Sequence, residues 1–376
     1  MGGMRVVICP DKFAGTLSAV EAGDAIAAGW RSARPHDTVV TRPLSDGGPG
    51  FVDVLAAALP AARVLPVATS DPLGRPVTGR VLVDGGTAYV ESAEACGLHL
   101  LAEHERDPKH TTSFGLGPLL VAAVEAGART VVVGLGGSGT NDAGAGMLAA
   151  LDAAPLEASG YALPYGGAAL INCASLGGTP RLRGAALVAA TDVDSPLLGV
   201  HGASAVFGPQ KGASRQDVFV LDAALGRFSQ VLEKDLDTCP AGLAAIPGAG
   251  AAGGLGAAVL ALGGRIESGI GLIRRLVELD AVLDEADLVI TGEGSFDDQS
   301  LRGKVVAGVA NAARDRGVPC VVVAGQVSAG RREAAAIGII EAHSLVEHLG
   351  SVEAALTRPA QGLHELGERL AQQWSR

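Results

Sequence analysis

The stretch RVVICPDKFAGTLSAVEAGDAIAAGWRSARPHDTVVTR, residues 5–42, decides the fold class. Arg5–Cys9 reads as a buried first strand, a short run rich in β-branched side chains. Ser18 stands where a helix would be capped, and Glu21 three residues on completes a capping box. That helix runs to about Arg34, before Pro35, and Asp37–Arg42 forms the next strand. Strand, helix, strand is the unit from which parallel sheets are built. Arg63–Val67 reads as a third strand, making the opening β-α-β-α-β.

Working outward, Ser70–Gly79 (SDPLGRPVTG) breaks the alternation with two prolines and two glycines and reads as a domain crossing. Arg80–Asp84 and Ala88–Ser92 then pair as a hairpin through Gly85-Gly86. A helix over Ser113–Ala126 precedes strand Thr130–Gly134. Regular alternation resumes at strand Asp287–Thr291 and continues through helix Lys304–Arg316, strand Pro319–Ala324, helix Ala329–Ala336, strand Gly338–Ala342 and a last helix over Val352–Trp374. The expected fold is α/β with two domains. A doubly wound, Rossmann-like parallel sheet domain uses both chain ends, residues 1–72 and 285–376, and an inserted α/β domain occupies residues 73–284. The length of 376 residues agrees with two cores.

Composition narrows the function. Apolar residues make up 48% and charged residues 18%, which excludes a disordered chain. A net charge of −11 and an aromatic share of 3% argue against nucleic acid or an anionic membrane as partner. The five cysteines (Cys9, Cys96, Cys173, Cys239, Cys320) show no zinc spacing and read as reduced, mostly buried thiols. MGGMRVVICP has no signal-peptide pattern. The uncharged run Pro247–Gly264 holds seven glycines and reads as a loop entering a tightly packed helix rather than a membrane span. A cytoplasmic enzyme is expected, and the sequence leaves monomer and homodimer open.

Five turns follow strands, where open α/β sheets place ligands. In Pro10–Ser18, Lys12 and nearby hydroxyls beside a helix start suit an anion, or form an ordinary capped turn. In Leu44–Gly50, Asp46 can receive a hydroxyl proton or hold a metal, while Pro49 also fits a purely structural helix start. Gly134–Gly144 contains GxGxxG but lacks the acidic residue expected about twenty positions on, so it is a weak dinucleotide fingerprint. Its Gly136, Gly137, Ser138, Thr140, Asn141 and Asp142 suit phosphate, metal or a substrate hydroxyl instead. Thr191–Pro196 offers Asp192 and Asp194, one of which can face a ligand as base or metal ligand. Downstream, Lys211 sits in a glycine turn suited to a phosphate oxygen or carboxylate. Finally, Glu293 and Asp297 fall in a loop after a buried strand and suit Mg²⁺, with Lys304 opening the next helix within reach of phosphate. No Walker A or protein-kinase signature occurs.

Taken in order, PDKFAGTLSA, SDGGPG, ESAEACGL, GLGGSGTNDAGAGMLAALDA, TDVDSPLLGVHGASAVFGPQKGAS, PGAGAAGGLGA and DLVITGEGSFDDQSLRGKVVAGVAN resemble the type I glycerate kinase family. The resemblance spans Cys9 to about Gly325, and GGSGTNDAGAGM and FGPQKGA are its most specific parts. It implies ATP and D-glycerate as substrates, 2-phosphoglycerate as product, and two α/β domains with the active site in the cleft between them. Two departures stand out: Ala14 where members usually carry Lys, and Pro49 where they usually carry an acidic residue. With that reaction, Asp192, ahead of Asp46, is the expected proton acceptor, and Lys211 and Lys12 counter phosphate or carboxylate charge. Gly136–Asn141 and Lys304 contact the nucleotide, and Glu293 and Asp297 hold Mg²⁺. A nicotinamide-dependent hydroxy-acid oxidoreductase, a kinase of a related hydroxy acid and a non-catalytic sugar-acid sensor are the alternatives.

Overall fold

The computed structural model describes residues 3–13, 15–298, 300, 301 and 305–374. Among the described residues thirteen strands form three sheets. The strands are β1 (Arg5–Ile8), β2 (Thr38–Thr41), β3 (Arg63–Ser70), β4 (Pro76–Asp84), β5 (Thr87–Glu91), β6 (Thr130–Gly134), β7 (Ala154–Leu156), β8 (Ser175–Gly177), β9 (Ala186–Ala190), β10 (Arg265–Glu267), β11 (Leu288–Phe296), β12 (Cys320–Val327) and β13 (Ile339–Ser344). The chain divides into two compact units. The first comprises Met1–Asp46, Asp53–Pro60 and Ile270–Arg376, the second Gly47–Val52 and Ala61–Gly269.

The first unit holds a five-stranded sheet in the order β13-β12-β11-β1-β2, parallel throughout. Val6, Val7 and Ile8 are fully buried, as a strand covered on both faces requires. Ser18 accepts from the Glu21 amide and Glu21 accepts from the Ser18 amide, so helix Ala19–Ala33 opens with the expected capping box. Its Ile26 and Trp30 share a core with Leu363, Leu366 and Leu370 of the C-terminal helix Pro359–Trp374. The two helices meet through glycine, because a Cβ on Gly29 would lie 1.9 Å from the His364 carbonyl oxygen. Strand order reverses between β1 and β11: β2 lies to one side, β12 and β13 to the other. Such a reversal opens a crevice beyond the carboxyl ends of the two strands.

The second unit holds a six-stranded sheet ordered β10-β9-β6-β5-β4-β3. Strands β5, β6, β9 and β10 are parallel, whereas β4 and β3 are added antiparallel. The short strands β7 and β8 pair separately. The uncharged Pro247–Gly264 run contains helix Ala251–Ala261, packed tightly enough that a Cβ on Gly253 would meet the Thr140 carbonyl oxygen at 1.9 Å. No described helix is long and apolar enough to cross a membrane.

Four sequence-based expectations need correction. Arg63–Val67 belongs to β3, which pairs with β4 in the second unit rather than extending the opening βαβ run. The Pro/Gly break after it is a hairpin turn: the Asp71 amide donates to the Arg75 carbonyl, and Asp71 Oδ1 accepts from the amides of Leu73 and Arg75. Turn chemistry reads alike at a hairpin and at a domain crossing. Glu293 lies within β11 rather than in a loop, because that strand continues to Phe296 along β12. The final helix is two, Val352–Thr357 and Pro359–Trp374, since Pro359 cannot continue the first and can open the second.

The helix contact at Gly29 yields a stability test. Gly29→Ala should destabilise the protein by about 1–3 kcal/mol through overpacking, read as a lower urea midpoint; an unchanged midpoint would contradict so close an approach.

Candidate active site

Parallel pairing lines up chemistry at the carboxyl edge of the second unit's sheet. Glu91, Gly134, Ala190 and Glu267, the last residues of β5, β6, β9 and β10, stand in one register row. The turn 135–144 leaves this edge after β6 and ends at the short helix Ala145–Ala150. Its glycines answer to packing. A Cβ on Gly136 would sit 2.6 Å from Gly48 Cα, and one on Gly137, whose φ is +66°, would sit 2.8 Å from Pro49. Residues 47–49 thus press against the turn, and a Cβ on Gly134 would likewise sit 2.5 Å from the Gly47 carbonyl oxygen and one on Gly139 3.0 Å from Leu101, so packing accounts for the GxGxxG glycines without a dinucleotide. Pro49, a departure from the family pattern, is part of that packing.

Beneath the turn lies a buried cation. Lys211, in the short 3₁₀ segment Pro209–Lys211, is 1% exposed. Its Nζ donates to Ser138 Oγ at 2.8 Å and to the Thr140 carbonyl at 2.7 Å. Burial lowers its pKa to about 7, opposed by the nearby charge of Asp142. Asp142 accepts from the amide and hydroxyl of Ser113 and the amides of Gly144 and Gly146. Burial raises the Asp142 pKa while these donors oppose the rise. Asn141 Nδ2 donates to Ser204 Oγ at 2.9 Å. Thr140 Oγ1 and Asn141 Oδ1 are buried with no hydrogen-bond partner among the described residues. Buried polar atoms without partners are rare and mark places where water or a ligand group completes the network.

The structure therefore joins Lys211, Ser138 and Thr140 directly, and the neighbouring Asn141 turns to Ser204. It lays Gly136 and Gly137 under Gly48 and Pro49. Lys211 is buried against the turn, held by Ser138 and the Thr140 carbonyl. Asp192 stands exposed just beyond β9, where its Oδ1 accepts from Ser268 Oγ at 2.7 Å. This hydroxyl, from the end of the neighbouring β10, fixes the carboxylate's direction at the same sheet edge.

Sequence reasoning gave no role to Glu91 or Ser268. Glu91 is 3% exposed and its Oε2 accepts from the amides of Gly50 and Val52. Burial raises its pKa to about 7, reinforced by Glu94 and opposed by the two amides and Arg80. An acidic residue closing the otherwise apolar strand TAYVE was the available signal.

In the first unit, the loop after β1 carries Lys12, whose Nζ lies 3.5 Å from Asp46 Oδ1 and 3.9 Å from Asp11 Oδ1. Lys12 and Asp46 are thus brought together. Glu293 lies on β11, and Asp297 just past that strand accepts from the Ser300 amide. Among the described residues no three His, Cys, Asp or Glu side chains gather into a metal-holding group. Two hard carboxylates nevertheless suit Mg²⁺, which takes one or two from protein and the remaining ligands from phosphate and water. Lys304 and Ala14 lie outside the described residues.

The buried carboxyl yields a pH test. Glu91 binds its proton more tightly folded than unfolded, so its contribution to stability is complete below about pH 4.5 and is lost as pH rises through about 7. Glu91→Gln should flatten the parent's decline in urea midpoint across that window; parallel curves for the two proteins would contradict the assignment.

Comparison with known proteins agrees with this architecture. The model of the glycerate kinase family matches residues 6–375. A protein named glycerate 2-kinase from Escherichia coli K12 is 40% identical over 348 residues, covering 91% of this chain and 89% of that protein. One named glycerate kinase from Bacillus subtilis 168 is 40% identical over 374 residues, covering 98% and 97%. A crystal structure described as a glycerate kinase 2 from Salmonella typhimurium LT2 superposes with a TM-score of 0.81 at 36% identity, covering 99% of this chain and 98% of that one. With such matches along almost its whole length, the chain belongs to the glycerate kinase family, a family of phosphotransferases.

Proposed function

We propose that the protein is an ATP-dependent kinase that phosphorylates the 2-hydroxyl of D-glycerate, giving 2-phospho-D-glycerate and ADP. The observation that carries the reading is Asp192, an exposed carboxylate aimed by Ser268 at the sheet edge beside the 138–142 turn, in a chain of this family. The E. coli relative's name, glycerate 2-kinase, supports the 2-position.

In the proposed mechanism the glycerate hydroxyl oxygen bonds to the γ-phosphorus while the bond from phosphorus to the ADP oxygen breaks. Asp192 takes the hydroxyl proton. Phosphoryl transfer needs alignment and charge neutralisation more than covalent help. Lys12, flanked by Asp11 and Asp46, supplies an ammonium for a phosphate or carboxylate. Lys211 acts from beneath the turn, holding Ser138 and Thr140 in place, and an anion above it favours its charged form. Asn141 and Thr140 offer polar atoms for ligand or water. Mg²⁺, held by Glu293 and Asp297 directly or through water, would neutralise phosphate charge. The oxidoreductase alternative loses its footing, because its glycines are accounted for by packing.

Asp192→Ala and Asp192→Asn should each lower kcat on the order of 10²-fold or more in an ADP-release assay with Mg-ATP and D-glycerate. Near-parental turnover in both would remove Asp192 from the mechanism. Ser268→Ala, which leaves the carboxylate without its aiming hydroxyl, should lower kcat by a smaller factor, about tenfold, with the KM for ATP unchanged.

A further inference from the structure

Within the first unit, a small recess of about 120 Å³ lies over the carboxyl ends of β11 and β12. Gly294 and Gly325 contribute backbone, Phe13 forms part of the wall, and Val352 and Leu356 stand over the opening. The Phe13 side lies in a loop closed on itself: Phe13 and Leu17 exchange backbone hydrogen bonds, and Thr16 donates from amide and hydroxyl to the Phe13 carbonyl. Val352 and Leu356 are 55% and 58% exposed, four residues apart on one helix, apolar groups left in water above an apolar slot. Gln326, near the end of β12, adds an exposed amide.

We propose that this recess receives the adenine ring of the nucleotide donor, an assignment that rests on the ATP-dependent reading above. Three features select a purine base. The walls formed by Phe13, Leu345, Val346, Val352 and Leu356 are apolar, which suits a flat ring. A glutamine amide matches the adjacent donor and acceptor on adenine. The recess also borders the crevice where strand order reverses between β1 and β11, the usual ligand position in doubly wound sheets. Lys12 is one residue from Phe13, so a base in the recess leaves its phosphates the option of an ammonium nearby. A second recess, in the other unit, is lined by His110, Phe114 and Tyr165 and also offers aromatic faces. It lacks a side-chain amide and a strand-order reversal, so it is the lesser candidate.

Photolabelling of the intact enzyme with 8-azido-ATP, followed by peptide mapping, tests the assignment. The expected label falls on Phe13–Leu17 or Leu345–Leu356 and is blocked by excess ATP but not by D-glycerate. Leu356→Glu and Gln326→Ala, both exposed positions, should raise the KM for ATP on the order of tenfold, with kcat and the KM for D-glycerate within about twofold. Label on peptides bearing Phe114 or Tyr165, or unchanged ATP constants in both variants, would overturn the proposal. Turnover of the parent enzyme with ATP and D-glycerate is measured alongside. If the parent turns over while the label maps elsewhere, the base site alone fails; if the parent uses no ATP, both readings fail.

Discussion

One buried ammonium organises the turn on which the candidate chemistry depends. Taking Lys211 out of water removes its hydration, and the loss is bearable only because Ser138 Oγ, the Thr140 carbonyl and the charge of Asp142 replace it. Asp142 in turn holds the amides that begin the next helix. The polar segment SGTND is therefore folded around a charge rather than held open for one. Removing the Lys211 side chain would leave the buried Thr140 carbonyl without this donor.

Backbone packing imposes a second constraint on the same turn. Residues 47–49 press on Gly136 and Gly137 closely enough to exclude any side chain. Glu91 fixes residues 50 and 52 from the end of the neighbouring strand. Two segments distant in sequence are thus locked at one sheet edge by a carboxylate and a run of glycines. Parallel strands then do the rest, since each delivers its following loop to the same edge: Asp192 after β9 and Ser268 after β10. In the first unit the same rule gathers the loops after β1, β11 and β12.

Much of this was legible in the chain. The capping box at Ser18 and Glu21, strand β6 and the alternation after Asp287 follow from local pattern alone. A glycine-rich turn was expected after the strand at Thr130–Gly134, and it follows β6 there. Local pattern failed where partners decide. Nothing within Arg63–Ser70 says which sheet it joins, because pairing with β4 is set by the turn at Asp71 and by burial. The glycines of the 134–144 turn look the same whether they admit a phosphate or a neighbouring backbone. That Lys211 is buried could not be read locally, because its partners Ser138 and Thr140 lie some seventy residues earlier. Glu91 escaped notice because its partners lie some forty residues earlier.

The central claim is that this fold transfers the γ-phosphoryl group of ATP to the 2-hydroxyl of D-glycerate. Phosphorus NMR of the product formed by the purified protein from Mg-ATP and D-glycerate tests it most directly. The account predicts a phosphate coupled to the single proton on C2, the pattern of 2-phosphoglycerate, appearing in step with ADP. A phosphate coupled to the two protons on C3 would contradict the assigned position, and no phosphorylated glycerate at all would contradict the reaction.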